Sequence, residues 1–156
     1  MKSLPITSVQ PYMPHRDKMM LIDTILSYDE DSLVATAELI NEQHIFVENG
    51  CFPAWAAMEL LAQSVAAWSG CIADDKGEPV RLGFLLGSRK FQLYFDELPV
   101  PFKVLIKIQV SLQDSNGFGI FDTQLWLSNE DNAENQLLAE GALNVYSPKE
   151  GIVDDE

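Results

Sequence analysis

The stretch from Asn41 to Gly70, NEQHIFVENGCFPAWAAMELLAQSVAAWSG, decides how this chain is read. A polar loop carrying His44 runs into Cys51-Phe52-Pro53. The following residues 54–69 hold many strong helix formers and neither glycine nor proline, which predicts a helix over about Ala54 to Ala73. Pro53 suits the first helical turn, where its missing N–H is no loss, and Gly70 suits the stop. The segment is apolar on nearly all sides, as a helix enclosed in a core is. Alanines 54, 56, 57, 62, 66 and 67 would let a sheet approach its backbone closely. Glu59 and Gln63 interrupt it, and at i and i+4 they share one face. A carboxylate in that position, with no lysine or arginine beside it in sequence, has to be paired, protonated or used.

Working outward from the helix, the remainder reads as strands. On the N-terminal side, Met20 to Tyr28 and Ser32 to Leu39 form a hairpin around Asp29-Glu30-Asp31, with Leu33, Ala35, Ala37 and Leu39 alternating against more polar neighbours. On the C-terminal side, Asp74 to Pro79 is an exposed turn. Arg81 to Leu86 and Arg89 to Tyr94 are one strand interrupted by a bulge or bend near Gly87-Ser88. Phe102 to Leu112 has the clearest alternation, Asp114-Ser115-Asn116-Gly117 makes a hairpin turn into Phe118 to Ser128, and a polar turn leads to Gln136 to Ser147. One helix among antiparallel strands predicts an α+β fold in which the sheet wraps round the helix. It is expected to be a single domain over residues 1–156, with the leader 1–10 and the tail 149–156 frayed. Such a sheet leaves edge strands, and pairing two copies covers them, so a dimer is expected.

Composition narrows the function. A chain of 156 residues with 47% hydrophobic and 22% charged residues has the make-up of a soluble globular domain. Its net charge of −14 repels nucleic acid phosphates, and no basic run offsets it, so nucleic acid is excluded as a partner. No signal-peptide pattern and no apolar run of about 20 residues is evident, which places the protein in the cytoplasm without a membrane span. Cys51 and Cys71 form no metal motif, and Cys71 reads as a small buried apolar residue.

Two patches resemble a known family. Met13-Pro14-His15-Arg16-Asp17-Lys18-Met19-Met20-Leu21-Ile22-Asp23 is similar to the opening of the hotdog-fold β-hydroxyacyl-(acyl carrier protein) dehydratases. Asn41-Glu42 resembles the start of their active-site loop, and Pro53, Glu59, Ala62 and Gln63 match their helix with identical spacing. Pro-Ala-Trp followed by Met-Glu-Leu-Leu-Ala-Gln resembles the divergent branch associated with aryl-polyene-type pigment synthesis more than the fatty-acid-synthesis branch. The family's catalytic histidine is not matched within its usual quartet. Gly50-Cys51-Phe52-Pro53 mimics that quartet with a cysteine in the histidine's place, but counting back from Glu59 puts the histidine at position 45, one residue from His44. Ala54 stands where the family has its helix-starting glycine.

The resemblance implies dehydration of a 3-hydroxyacyl thioester, borne by acyl carrier protein or coenzyme A, to the 2-enoyl form. That chemistry needs one base and one acid and no cofactor or metal. A neutral imidazole suits the base, and a carboxylic acid kept protonated among apolar neighbours suits the acid, as Glu59 would be beside Met58, Leu60, Ala62 and Trp55. The resemblance places His44 and Glu59 opposite each other from different subunits of a homodimer or a heterodimer with a related hotdog chain, with Gln63 steadying Glu59. At the helix N-terminus Pro53 donates nothing, which leaves the Ala54 and Trp55 amides as donors to a developing oxyanion. Two other functions remain open: a hotdog thioesterase, and a catalytically silent partner subunit. His15-Arg16 reads as fixing the N-terminal turn, and Trp68 and Trp126 as core or interface. Lys103, Lys107 and the Arg89-Lys90 pair are either solvated charges or contacts for an acidic carrier.

Overall fold

A computed structural model describes residues 2–14 and 19–148. The roles expected of His15-Arg16 and of the tail 149–156 lie outside the described residues. Alternation organises the sheet. Strands β1 (Thr24–Tyr28) and β2 (Ser32–Leu39) form the expected hairpin, and Leu33, Ala35, Ala37 and Leu39 of β2 are all at most 3% exposed. A short strand β3 (Cys51–Pro53) precedes helix α1 (Ala56–Asp75), and β4 (Phe84–Leu93), β5 (Glu97–Pro99), β6 (Phe102–Gln113), β7 (Phe118–Leu127) and β8 (Gln136–Tyr146) follow it. The long strands make one six-stranded antiparallel sheet in the order β1-β2-β6-β7-β8-β4, with β1 and β4 at its edges. The expected interruption of β4 is present as register shifts between Leu85 and Gly87 and between Arg89 and Gln92.

One face of this sheet encloses α1, which contacts β2, β6 and β7. Val104, Ile106 and Ile108 of β6 and Leu125 and Leu143 beyond it meet Ala56, Ala57, Leu60, Leu61 and Ala67 of the helix in a single core. Trp68 is part of that core: its ring meets Phe121 edge-on, and its Nε1–H donates to the Asp29 carbonyl at 2.9 Å. By length and composition α1 is able to cross a bilayer, although Glu59 and Gln63 interrupt its apolar run. Its enclosure by the sheet accounts for that composition as the core helix of a folded domain.

The helix is displaced by two residues from the expected span, and both of its boundary signals act differently. Pro53 ends β3, opposite Glu97, and the helix starts at Ala56 with Trp55 as its N-cap residue. Gly70 lies inside the helix, which runs on to Asp75. The chain closes instead at Gly77, in a left-handed conformation with φ 71°, where the Gly77 N–H donates to Asp74 and the Glu78 N–H to Ala73, the two bonds of a Schellman stop. Gly70 answers a different requirement. A Cβ there would lie 1.8 Å from the Tyr12 carbonyl oxygen, so the N-terminal segment can cross the helix only over a residue without a side chain.

That crossing holds the leader in place. Residues 2–10, expected to fray, are tied down: Ile6 exchanges backbone hydrogen bonds with Ile25, and Val9 is buried. Lys2 Nζ donates to Asp75, Tyr28 and the Cys71 carbonyl and lies 3.1 Å from Asp74. A cation at a helix C-terminus complements the dipole, and Lys2 supplies it to an α1 whose last turn has no basic residue of its own.

Replacing Gly70 with alanine is therefore expected to destabilise the fold by about 1 to 3 kcal/mol, the usual range for overpacking, despite alanine's better helix propensity. Urea denaturation checks this, and equal or greater stability would show that the crossing does not constrain position 70.

Candidate active site

Consecutive turns build the loop that carries His44. The Asn41 side chain accepts the Gln43 N–H at 2.8 Å, and the His44 N–H donates to the Asn41 carbonyl at 3.1 Å. The Val47 N–H then donates to the His44 carbonyl at 2.9 Å, so His44 is held by a turn on each side. Glu48 and Cys51 exchange backbone hydrogen bonds around Asn49-Gly50, whose φ values of 53° and 76° are both positive. That is the geometry for which an Asn-Gly pair is preferred, and it reverses the chain into β3. β3 pairs with β5, and Phe52 at its centre is fully buried against Phe102. The polar loop expected up to Phe52 thus contains a strand, since three-residue strands are too short to show a period.

From β3 the chain turns into α1, which presents Glu59 and Gln63. Gln63 is fully buried, and each end of its amide is bonded. Its Oε1 accepts the Leu21 N–H at 2.8 Å, while Nε2 donates to the Met19 carbonyl and to Glu59 Oε2, the latter at 2.9 Å. The Glu59 carboxylate is thus fixed by the side chain one turn further on, while Glu59 itself is half-buried. The part played by Met19 and Leu21 had no signal in the sequence, since backbone groups carry none.

His44 is half-buried, and its ring stacks on Phe46 at 5.7 Å between centroids; Phe46 meets Trp55 edge-on at 6.4 Å. The loop is thereby seated against the start of α1. His44 Nδ1 accepts the Phe46 N–H at 3.2 Å, which leaves the proton of a neutral ring on Nε2. Among the hydrogen bonds between described residues, none joins His44 to Glu59. Exposed apolar side chains flank the two groups: Trp55 at 59%, Ile45 at 49% and Met19 at 44%. Asp23 lies within electrostatic reach of His44, and desolvation raises its carboxyl above the usual range against the opposing effects of the Glu38 N–H and of His44. Its Oδ2 accepts that N–H at 2.6 Å.

Comparisons with known proteins bear on this constellation. The family model for ApeP-like proteins, described as ApeP dehydratase, matches residues 7–154. The chain belongs to the ApeP-like dehydratase family. It is also 31% identical to the 3-hydroxyacyl-[acyl-carrier-protein] dehydratase FabZ of Chlamydia muridarum, over 96% of each chain. Its fold matches a chain of the dehydratase heterocomplex ApeI:P from Xenorhabdus doucetiae, with a TM-score of 0.81 and 26% identity over 95% of this chain and 93% of that one. Cj0977 of Campylobacter jejuni, a sigma28-regulated virulence protein, shares the fold alone, with a TM-score of 0.64 at 12% identity over 94% of this chain and 92% of that one. The resemblance read from the sequence, to hotdog dehydratases and their aryl-polyene-type branch, is borne out.

Within an ApeP-like dehydratase the other candidates fall into place. Cys51 is a poor substitute for a base: burial first, then the hydrogen bond and charge of Glu97, raise its thiol above the ordinary value and keep it protonated. Burial likewise pushes the Cys71 thiol up to about 11, in keeping with an inert core residue. Of the two amides proposed as oxyanion donors, Ala54 is already committed to the Asp96 carbonyl at 2.8 Å, so Trp55 is the one left. Lys107 is ion-paired with Glu134, whereas Arg89 and Lys90 form no salt bridge among the described residues. No group of histidine, cysteine and acidic side chains among the described residues is arranged to hold a metal.

Replacing Gln63 with leucine keeps the volume but strips the Leu21 N–H and the Met19 carbonyl of their partner. A loss of about 2 to 6 kcal/mol is expected, at roughly 1 to 3 kcal/mol for each of the two groups left unbonded. The same variant should lose hydrogen-exchange protection at Leu21 ahead of the β6 core. Unchanged protection there would mean that the amide does not hold this segment.

Proposed function

We propose that this chain removes water from 3-hydroxyacyl thioesters carried on acyl carrier protein, with His44 as base and Glu59 as acid. His44 takes a proton from the carbon next to the thioester carbonyl, and the bond from the adjacent carbon to its hydroxyl breaks. Glu59 gives its proton to the departing oxygen, which leaves as water, and a 2-enoyl thioester remains; the proton on His44 returns to Glu59 through solvent. The Trp55 amide, at the positive end of α1, faces the oxyanion that develops on the thioester. The observation that carries this reading is the Gln63 bond to Glu59, which fixes a carboxylic group beside the apolar start of α1, where the His44 loop is seated.

The reading includes a second subunit. Edge strand β4 exposes Leu85, Leu86 and Leu93 at 41%, 57% and 41%, an apolar strand with one unpaired edge. Pairing it with a like strand covers that surface and brings a second hotdog chain against the open side of α1. The ApeI:P heterocomplex supports a related hotdog chain as that partner. We place the reaction in the cytoplasm, with His44 of one subunit and Glu59 of the other at a shared site.

One observation favours the silent-partner alternative. With Nδ1 accepting the Phe46 N–H, His44 Nε2 is a donor, and proton abstraction requires that contact to be given up. At 3.2 Å it is a long hydrogen bond, readily lost when the ring turns.

Two measurements decide among the readings. Enoyl product should form from 3-hydroxyacyl-carrier-protein with no added cofactor, by this chain alone or mixed with a related hotdog subunit. Free thiol in place of enoyl product would make the protein a thioesterase. Changing His44 to alanine is expected to lower turnover by about 10²- to 10⁴-fold, the usual range for losing a general base, while Cys51→Ser stays within about tenfold. In the mixed complex, full activity of His44→Ala would leave the chain as a silent partner.

A further inference from the structure

Two cavities lie end to end along α1. Between Ala56 and Gly70 every helix residue is buried except Met58, Glu59, Ala62, Ala66 and Ser69. Glu59, Ala62, Ala66 and Ser69, at i, i+3, i+7 and i+10, lie on one side of the helix. A cavity of about 150 Å³ opens over this side, walled by Ala62 and Ala66 from α1 and by Leu82, Leu85 and Val145 from β4, β8 and the chain before β4. Its far end does not close on apolar groups. Ser69, Arg81 and Ser147 line it and also line a second cavity of about 430 Å³, whose wall adds Trp68, Lys76, Glu78, Gln113 and Asp114. On the side of the helix that carries Glu59, an apolar cavity over Ala62 and Ala66 therefore adjoins a polar chamber, with Arg81 at the junction.

We propose that Arg81 is a specificity-determining residue of an ω-end subsite: the acyl chain runs from Glu59 over Ala62 and Ala66, and its far end is a neutral hydrogen-bonding group, such as a hydroxyl, seated at Ser69, Arg81 and Ser147. This rests on the dehydration reading. Glu59 to Ser69 is ten residues of helix, about 15 Å at 1.5 Å per residue, so only a medium or long chain reaches the junction. A hydroxyl terminus can add a hydrogen bond to Ser69 or Arg81 at the junction, which a methyl terminus cannot. A carboxylate is disfavoured, because the Arg81 guanidinium is already paired with Glu78 at 3.1 Å and the chamber also carries Glu30 and Asp114. The small side chains of Ala62 and Ala66 keep the apolar cavity open.

The test uses the active protein, with its hotdog partner where one is required, and three pantetheine thioesters: 3-hydroxybutanoyl, 3-hydroxydodecanoyl and the ω-hydroxy form of the last. For the wild type, kcat/KM should be about fivefold higher for the ω-hydroxy than for the plain dodecanoyl thioester, as one well-made hydrogen bond provides. Arg81→Met should bring that ratio close to one, and Ala66→Leu should lower the dodecanoyl-to-butanoyl ratio by about tenfold or more. Equal kcat/KM for the two long thioesters in the wild type, which needs no variant to fold, would overturn the subsite while leaving dehydration intact. A preference that survives Arg81→Met would overturn the role given to Arg81. No enoyl product from any of the three would refute the dehydration reading, and the subsite with it.

Discussion

A buried amide is the constraint on which this molecule turns. Gln63 sits in the middle of a helix enclosed by a sheet, where no solvent can bond its polar atoms, so the protein has to. Its oxygen takes the Leu21 N–H, and its nitrogen serves both the Met19 carbonyl and Glu59. Meeting that single requirement fixes the chain just before β1, the rotation of α1 beneath it, and the direction of the Glu59 carboxylate. The N-terminal segment is held a second time at Gly70, where the Tyr12 backbone crosses the helix, and a third time by Lys2 at the helix end. Scaffold and candidate chemistry therefore share the same fastenings.

Much of this was legible in the sequence because it depends on periodicity. Leu33 to Leu39 and Val104 to Ile108 alternate as half-buried strands do, and they bury the side they should. Glu59 and Gln63 stood out as polar residues on an apolar helix, and their bond follows from i, i+4 spacing. What escaped depended on contacts distant in sequence. Gly70 has the form of a stop signal, but its reason is the Tyr12 carbonyl, 58 positions earlier in the chain. Pro53 suits both a first helical turn and the last position of a short edge strand, and only the pairing of β3 with β5 separates the two. Asn49-Gly50 is a hairpin signal that the sequence does carry, and the structure turns there.

A single chain leaves one side incomplete. The open stripe of α1, the apolar edge of β4 and the two cavities beside them are neighbours, while the six-stranded sheet closes the rest of the helix. Pairing with a second hotdog chain along β4 would cover the unpaired edge and the open side of the helix together. The net charge of −14 means that any acidic carrier must approach through local positive groups. Among the described residues Lys107 is engaged by Glu134, whereas Arg89 and Lys90 of β4 are exposed and form no salt bridge.

The central claim, that Glu59 gives up a proton and is not merely a satisfied side chain, is tested most directly by replacing Glu59 with glutamine and measuring enoyl formation in the assembled protein. Glutamine keeps the volume and can still bond to Gln63, so the fold and the subunit contact should survive; only the transferable proton is removed. The account predicts turnover reduced by about 10²-fold or more, with thermal stability and assembly unchanged. Turnover close to that of the wild type would contradict it.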